Sequence, residues 1–506
     1  MPPSLLLFIS TIIDLCTGNP LQNTQFISSE PDRTHFSDDI FNEILSSNQG
    51  SSRFMLQGDI AVKRNRNAVI CRGKSCLWSK LEDGLVYVPN TLSNNYTSEE
   101  KMLIRAAMEE IEVLTCVRFI SRHREPSYLR IQPFDGCWSY VGRVGGAQDL
   151  SLMKPGCLHW GIIQHEVLHS LGFQHEQCRS DRDKYIRINW GNINHDKEHN
   201  FYKMSTQNLG VPYDYLSVLH YGKFAFASDA GKPTLEPTGN PNALIGQRVG
   251  LSSLDVAKIN KLYECNICSY LLPDAHGTIS WESKRSLNIT TCVWVIRVPD
   301  DKVFLQFDTF SIQSSTGCAQ ASVTVYDGIS KESPILINKT CGNIPPLPQI
   351  STGKFAKIEF TGARIGSNFK AIYSSIKCGG SLVNTTGNFS TPLFPSKYPN
   401  SVNCVWVLSA SVGNKITLHV SPFSLEPSPG CSYDYILLRD GRRQTKKCGH
   451  LSKLDFISST NSLIVHFHSD SSVKANGFFV TYSFSPLSPR NQNDAPSKRL
   501  KYSKIT

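Results

Sequence analysis

Beyond its first residues this 506-residue chain lacks any apolar run of 18, which excludes an ordinary membrane-spanning helix there. It also lacks a strong charge of one sign once its end is set aside. The net charge is +10, and Ser485–Thr506 alone carries Arg490, Lys498, Arg499, Lys501 and Lys504 against Asp494. The basic excess left over is too dilute to argue for a nucleic-acid partner, and residues 485–506 read as a basic disordered tail. A shortage of hydrophobic residues would indicate an unfolded protein. Here 40% of the chain is hydrophobic and 10% aromatic, which excludes that. One core of this size would be unusual, so several domains in series are expected.

What is present speaks first to compartment. Ser4–Ile13 is a short apolar run followed by the small residues Thr17 and Gly18. It reads as a signal peptide over residues 1–18, although no basic residue precedes it and Asp14 and Cys16 interrupt its end. Setting Cys16 aside from the 16 cysteines, the others would be a liability in a reducing cytosol. Five Asn-x-Ser/Thr sequons, at Asn95, Asn288, Asn338, Asn384 and Asn388, point the same way. A secreted, extracellular, disulfide-bonded glycoprotein is expected. Residues 19–66 are polar, cysteine-free and end in Lys63-Arg64-Asn65-Arg66, a suitable site for a trypsin-like or furin-like protease.

Residues 67–265 mix helical and strand patterns. Ser98–Cys116 carries apolar residues at helical spacing, with Ser98 as a candidate cap and acidic residues in the first turn. Tyr128–Ile131 and Trp138–Val144 read as short strands. Residues 268–376 and 378–484 are two copies of one unit. Each opens with a cysteine (Cys268, Cys378), continues with Cys-Val-Trp-Val (Cys292–Val295, Cys404–Val407) and holds a second cysteine pair (Cys318 and Cys341; Cys431 and Cys448) around an Asp-Gly turn. Alternating Val, Ile, Phe and Tyr between turn signals imply antiparallel β-sandwiches.

The chemistry concentrates at His165-Glu166-Val167-Leu168-His169, followed by Gly172, His175 and Glu176. On a helix, His165 and His169 fall on one face. Glu166 lies at another azimuth, where it can act on water at a metal without ligating the metal. Gly172 can end the helix at positive φ, and His175 then arrives as a third ligand. Three neutral imidazoles that leave a coordination position open are the catalytic rather than the structural zinc arrangement. By composition a bare His-Glu-x-x-His arises in about one per cent of chains this long, and Gly172 and His175 lower that roughly a thousandfold.

This long motif resembles the astacin branch of the metzincins. The likeness covers residues 67–265 and includes Thr115–Phe119, Cys137–Arg143 and Arg179–Asp183. The repeated unit resembles the CUB domain. The resemblance implies an α+β zinc endopeptidase followed by two all-β sandwiches, in a multidomain secreted chain. The Cys71…Cys76 loop and the CUB pair are most like the hatching enzymes of lower vertebrates. Ser217–Tyr221 matches the family's Met-turn, which would place Tyr221 as a catalytic phenol beside Glu166. Leu219 stands where the family has Met; the volumes are close, so a cost under about 1.5 kcal/mol is expected. Leu56-Gln57-Gly58-Asp59-Ile60 resembles the family's propeptide motif, with Asp59 as a zinc ligand in the zymogen. Cutting after Arg66 would then free Asn67, whose ammonium the family buries against the residue at Glu176.

The family pattern implies the bridges Cys116–Cys265 and Cys137–Cys157. The local loop adds Cys71–Cys76, and the CUB copies add Cys268–Cys292, Cys318–Cys341, Cys378–Cys404 and Cys431–Cys448. Cys178 is left over. Some CUB domains hold calcium on three carboxylates; the second copy has Glu426, Asp434 and Asp470 at those positions, whereas the first has Gln313, Ala321 and Ala363. The expected function is a zymogen-activated zinc endopeptidase acting on extracellular protein substrates, with egg-envelope proteins suggested by the hatching-enzyme likeness. The alternatives are a catalytically weak, CUB-mediated extracellular binding protein and a matrix-processing astacin.

Overall fold

The computed structural model describes residues 40–486 apart from 52, 63–74, 248, 283–290 and 363–365. The expectations at residues 1–18, Arg66, Asn67, Cys71 and its bridge to Cys76, Asn288, Ala363 and the tail beyond Pro486 lie outside the described residues; Ser485 and Pro486 end the strand Gly477–Pro486 instead of opening a disordered tail.

The first domain is built on one seven-stranded sheet in the order β1-β2-β6-β7-β5-β3-β4. Its strands are β1 (Met55–Leu56), β2 (Ile60–Ala61), β3 (Val86–Leu92), β4 (Val117–Ser121), β5 (Tyr128–Gln132), β6 (Cys137–Ser139) and β7 (Ala147–Leu152). β3, β4, β5 and β7 pair in parallel, and β6 returns antiparallel to β7. The short hairpin β1–β2 joins through Ile60, which pairs in parallel with Ser139.

Four α-helices occur among the described residues of this domain: α1 (Ile40–Ser47), α2 (Ser98–Leu114), α3 (Trp160–Ser170) and α4 (Ser253–Leu262). In α2, Ile104, Ala107, Met108, Ile111 and Leu114 form a buried stripe at the three- and four-residue spacing of one helix face. Its cap is Thr97 rather than Ser98: Thr97 Oγ1 accepts from the Glu100 N–H at 3.2 Å, and Glu100 Oε2 accepts from the Thr97 N–H at 2.8 Å. This reciprocal pair fixes the start one residue early. A second correction concerns Trp138–Val144, where the strand stops at Ser139. Gly142 adopts φ 71° and donates its N–H to the His169 carbonyl at 2.8 Å. The chain turns there to satisfy an end of α3 instead of continuing the ladder.

Two β-sandwiches follow. In the first, Cys268–Leu272, Thr291–Arg297, Phe355–Gly362, Ala321–Tyr326 and Ile335–Thr340 form one sheet. The second repeats that order with Cys378–Leu382, Asn403–Ser409, Ser462–His468, Tyr435–Asp440 and Arg443–Lys447. In each the opening strand pairs in parallel, with its cysteine beside a cysteine of the neighbour (Cys268↔Cys292, Cys378↔Cys404). Bridges join Cys116–Cys265, Cys137–Cys157, Cys268–Cys292, Cys318–Cys341, Cys378–Cys404 and Cys431–Cys448, while Cys178 is buried and, among the described residues, free. Asn95, Asn338, Asn384 and Asn388 are exposed.

The domains share core. Leu271, Val295 and Ile329 of the first sandwich belong to the apolar cluster of the first domain. Phe304, Ile350 and Ile376 pack with Val405 and Val407 across the sandwich–sandwich junction.

Candidate active site and metal centre

α3 is buried on every side from Gly161 to Ser170. It ends in a Schellman motif, with Gly172 at φ 105°, the Phe173 N–H on the Leu168 carbonyl at 3.2 Å and the Gly172 N–H on the His169 carbonyl at 2.8 Å. The reversal delivers His175 to the face carrying His165 and His169. The three imidazoles and Asp59 offer atoms within 4.8 Å of one another. Asp59 Oδ2 lies 2.9 Å from His165 Nε2 and 3.2 Å from His175 Nε2, and Asp59 Oδ1 is 3.7 Å from His169 Nε2.

The outer nitrogens settle the tautomers. His165 Nδ1 faces the Val218 carbonyl, His169 Nδ1 the Phe173 carbonyl and His175 Nδ1 the Gln57 amide oxygen, each at 2.8 Å. Each Nδ1 must donate, so each Nε2 presents a lone pair to the centre. Burial lowers the His175 pKa to about 4, which keeps that ring neutral. Two such lone pairs, on His165 and His169, lie 3.1 Å apart and would repel without a cation between them. Among the described residues, Asp59 Oδ1 and both Glu166 oxygens are buried without hydrogen-bond partners. A set of three imidazole nitrogens and one carboxylate oxygen fits zinc.

Glu166 is fully buried, and its carboxyl is pushed well above the usual range by burial and then by the Asp59 charge. Tyr221 is fully buried, and its hydroxyl donates to the Gln57 carbonyl at 2.6 Å. Gln57 thus engages His175 through its side chain and Tyr221 through its backbone. Its φ of 53° and Gly58's of 91° let the chain dip into the cleft. A Cβ on Gly58 would come within 2.8 Å of Leu45 and 2.9 Å of Phe41, both on α1. Asn48, just past α1, donates to the carbonyls of Gly58 and Cys137, each at 2.8 Å, and accepts from the Cys137 N–H at 2.7 Å. Sequence reasoning missed α1 and Phe41. The usable signal was the spacing of Ile40, Phe41 and Ile44 within an otherwise polar stretch.

Leu219 is 3% exposed within the core, and its carbonyl accepts from the Glu176 N–H at 3.1 Å. Glu176 is buried too. It accepts from Arg179 Nη1 at 3.0 Å, Lys258 Nζ at 2.6 Å and the Asp214 N–H at 2.9 Å. Asp214 and Asp255 are buried nearby, and Asp214 is raised to about 7 by burial and then by the Asp255 charge.

In the second sandwich Glu426, Asp434 and Asp470 converge within 4.8 Å. Buried Asp434 accepts from Tyr398 Oη at 2.5 Å and from the Asp470 N–H at 2.8 Å. Among the described residues Glu426 Oε2 is buried without a partner, and its carboxyl is raised by burial and then by the Asp434 and Asp470 charges. Such a group attracts a hard cation. In the first sandwich Gln313 bonds to Gln320 and position 321 is alanine, which offers no oxygen ligand from its side chain.

The family model for Astacin, a peptidase family, matches residues 77–264, and that for the CUB domain matches 268–373 and 378–482. Embryonic protein UVS.2 of Xenopus laevis is 42% identical over 461 residues, which is 89% of each chain. Astacin-like metalloendopeptidase of Gallus gallus is 42% identical over 397 residues, 74% of this chain and 97% of its own. High choriolytic enzyme 1 of Oryzias latipes is 42% identical over 268 residues, 52% of this chain and 99% of its own. The chain therefore belongs to the astacin family of zinc metalloendopeptidases, with its protease domain followed by two CUB domains.

Proposed function

We propose that the protein is a secreted endopeptidase kept latent by its own N-terminal segment and activated by a cut after Arg66. His165, His169 and His175 hold the zinc, and Asp59 holds it as well until the cut. The observation that carries this reading is the Asp59 carboxylate lodged among three imidazoles, with Gln57 engaging His175 and Tyr221 at once. Bound zinc supplies Lewis acidity toward a carbonyl and a water molecule. Glu166 takes the proton of the attacking water and returns it to the leaving amine. Tyr221, released from Gln57, turns its hydroxyl toward the developing oxyanion. The buried walls of α3 exclude bulk water, which strengthens each of these interactions.

The new terminus at Asn67 then joins the Glu176 cluster. Three carboxylates, Glu176, Asp214 and Asp255, face the two cations Arg179 and Lys258 there, so one more ammonium is electrostatically welcome. Calcium on Glu426, Asp434 and Asp470 stiffens the second CUB domain. The substrate is an extracellular protein coat; the choriolytic name of the Oryzias relative supports that class.

The test is peptidase activity on denatured casein by protein cut at Arg66, beside Glu166→Ala, with zinc content determined on both. Cleavage stopped by a chelator, with a dead but zinc-loaded Glu166→Ala, supports the reading. Zinc-loaded parent that cleaves nothing would sink it and would make Leu219→Met the next variant.

A further inference from the structure

Glu110 takes no part in the chemistry above, yet it is fully buried in α2. Its Oε2 accepts from Trp160 Nε1 at 2.8 Å and Gln164 Nε2 at 2.6 Å, both on α3. Its Oε1 accepts from Arg297 Nη1 at 2.7 Å. Arg297 belongs to the first CUB domain, at the end of the strand Thr291–Arg297, and is 2% exposed. Its Nη2 donates to the Leu251 carbonyl at 2.5 Å. The Leu251 N–H donates to Gln164 Oε1 at 2.9 Å, which closes the ring. Gly250 leaves room for it: a Cβ there would lie 2.5 Å from Gln164 Oε1 and 2.9 Å from Arg297 Nη1.

Two short routes run from this ring to His165. Gln164 directly precedes it on α3. On the other route, Leu251 leads into Ser252, the cap of α4, which is bonded to Asp255 in both directions. Asp255 accepts from Ser217 Oγ at 2.6 Å and from the Val218 N–H at 2.9 Å. The Val218 carbonyl is the acceptor that orients His165 Nδ1.

Removing the arginine would strand a buried carboxylate, which must then protonate or draw in water. Either outcome loosens Gln164 and Trp160. Docking of the two domains does not need the ion pair, because apolar contacts already supply it. Leu271 and Val295 sit in the shared core, and Trp160 and Phe355 have ring centroids 5.2 Å apart.

We propose that Arg297 of the first CUB domain is a positioning residue for the metal centre, holding His165 in place from both sides through Glu110, Gln164 and Leu251. The protease domain on this reading is completed by its neighbouring module. The inference rests on His165 being a metal ligand.

The experiment uses the full chain cut after Arg66, loaded with cobalt in place of zinc. Its readouts are metal affinity by chelator competition and the visible cobalt spectrum. Arg297→Met should bind cobalt about 10- to 100-fold more weakly, with an altered spectrum and a lower kcat at nearly unchanged KM. Arg297→Lys, which keeps a charge on Glu110 but lacks the forked reach to Leu251, should recover part of the loss. Glu110→Gln with Arg297→Met, which strands no charge but leaves the Leu251 carbonyl without its donor, should also recover only part of it. Parent affinity and spectrum in Arg297→Met overturn the proposal, even if that variant melts at a lower temperature. If Arg297→Met does not fold, parent-like affinity and spectrum in Arg297→Lys overturn it instead. A parent that binds no cobalt sinks the metal-site reading itself, a separate failure.

Discussion

Phe41 lies face to face with Tyr221, the ring centroids 3.8 Å apart and 21° from parallel. A residue of the N-terminal segment therefore covers the proposed catalytic phenol while Asp59 sits among the imidazoles. Latency on this account is assembled from several contacts. Asp59→Ala should give the uncut chain measurable activity, higher than the uncut parent by an order of magnitude or more. Phe41→Ala should act in the same direction, since a buried Phe→Ala change costs about 3–5 kcal/mol and here weakens only the latent form. The assay is casein hydrolysis by chains carrying an uncleavable residue 66.

Gly58→Ala tests the approach of the backbone. The added Cβ meets Leu45 and Phe41 inside 3 Å at φ 91°, a strain of about 1–3 kcal/mol. The uncut variant should be leaky, with a lower midpoint of thermal unfolding. After cutting, its kcat and KM should match the parent's. A variant as silent and as stable as the parent would contradict the geometry.

Glu166→Gln should lower kcat by about 10²–10⁴-fold while metal content stays at the parent level. Leu219→Met should change kcat little, since both side chains fill the same buried site at similar volume. A large gain from Leu219→Met would instead mark this position as a natural brake.

The acidic cluster gives a pH dependence. Asp214 is raised to about 7 when folded, against about 3.9 in an unfolded chain. The folded state therefore binds more protons between those values, and ∂ΔG of unfolding with pH is negative there. The stabilising contribution is complete below about 4 and is lost as pH rises through about 7, with a size of a few kcal/mol at most. In the uncut chain, thermal midpoints of the parent minus those of Asp214→Asn should fall across this window. In the cut protein the difference should shrink, because a buried ammonium beside Glu176 would pull Asp214 back down. An unchanged difference after cutting would place the new terminus elsewhere.

Calcium should raise the unfolding temperature of the full chain, and Asp434→Asn should abolish the increase. Asp434 is the buried member of its trio, held by Tyr398 and the Asp470 N–H. Equal midpoints in calcium and in chelator would remove the ion from the account.

The helix, its glycine stop and the third histidine were legible because their spacing is local: i, i+4 and a turn. The sandwich repeat was legible because two copies within one chain align their own cysteines. The start of α2 was misplaced by one residue, since Thr97 and Ser98 are both good caps and only the reciprocal bond to Glu100 separates them. Arg297 and Glu110 were invisible for a different reason. They lie 187 residues apart, and neither belongs to a pattern with a period. Glu110 in particular resembled any other acidic residue of an exposed helix until a second domain covered it.

The hairpin β1–β2 does more than deliver Asp59. By pairing Ile60 with Ser139 it occupies the outer side of β6, which would otherwise be a sheet edge. An open edge is a row of unpaired N–H and C=O groups ready to accept another extended chain. One proteolytic event would then do two things at once: it vacates the metal, and it uncovers a backbone template running past it. On the proposed activation, storage and recognition would be two states of the same strand edge, and the grip on a polypeptide would arrive together with the means to cut one.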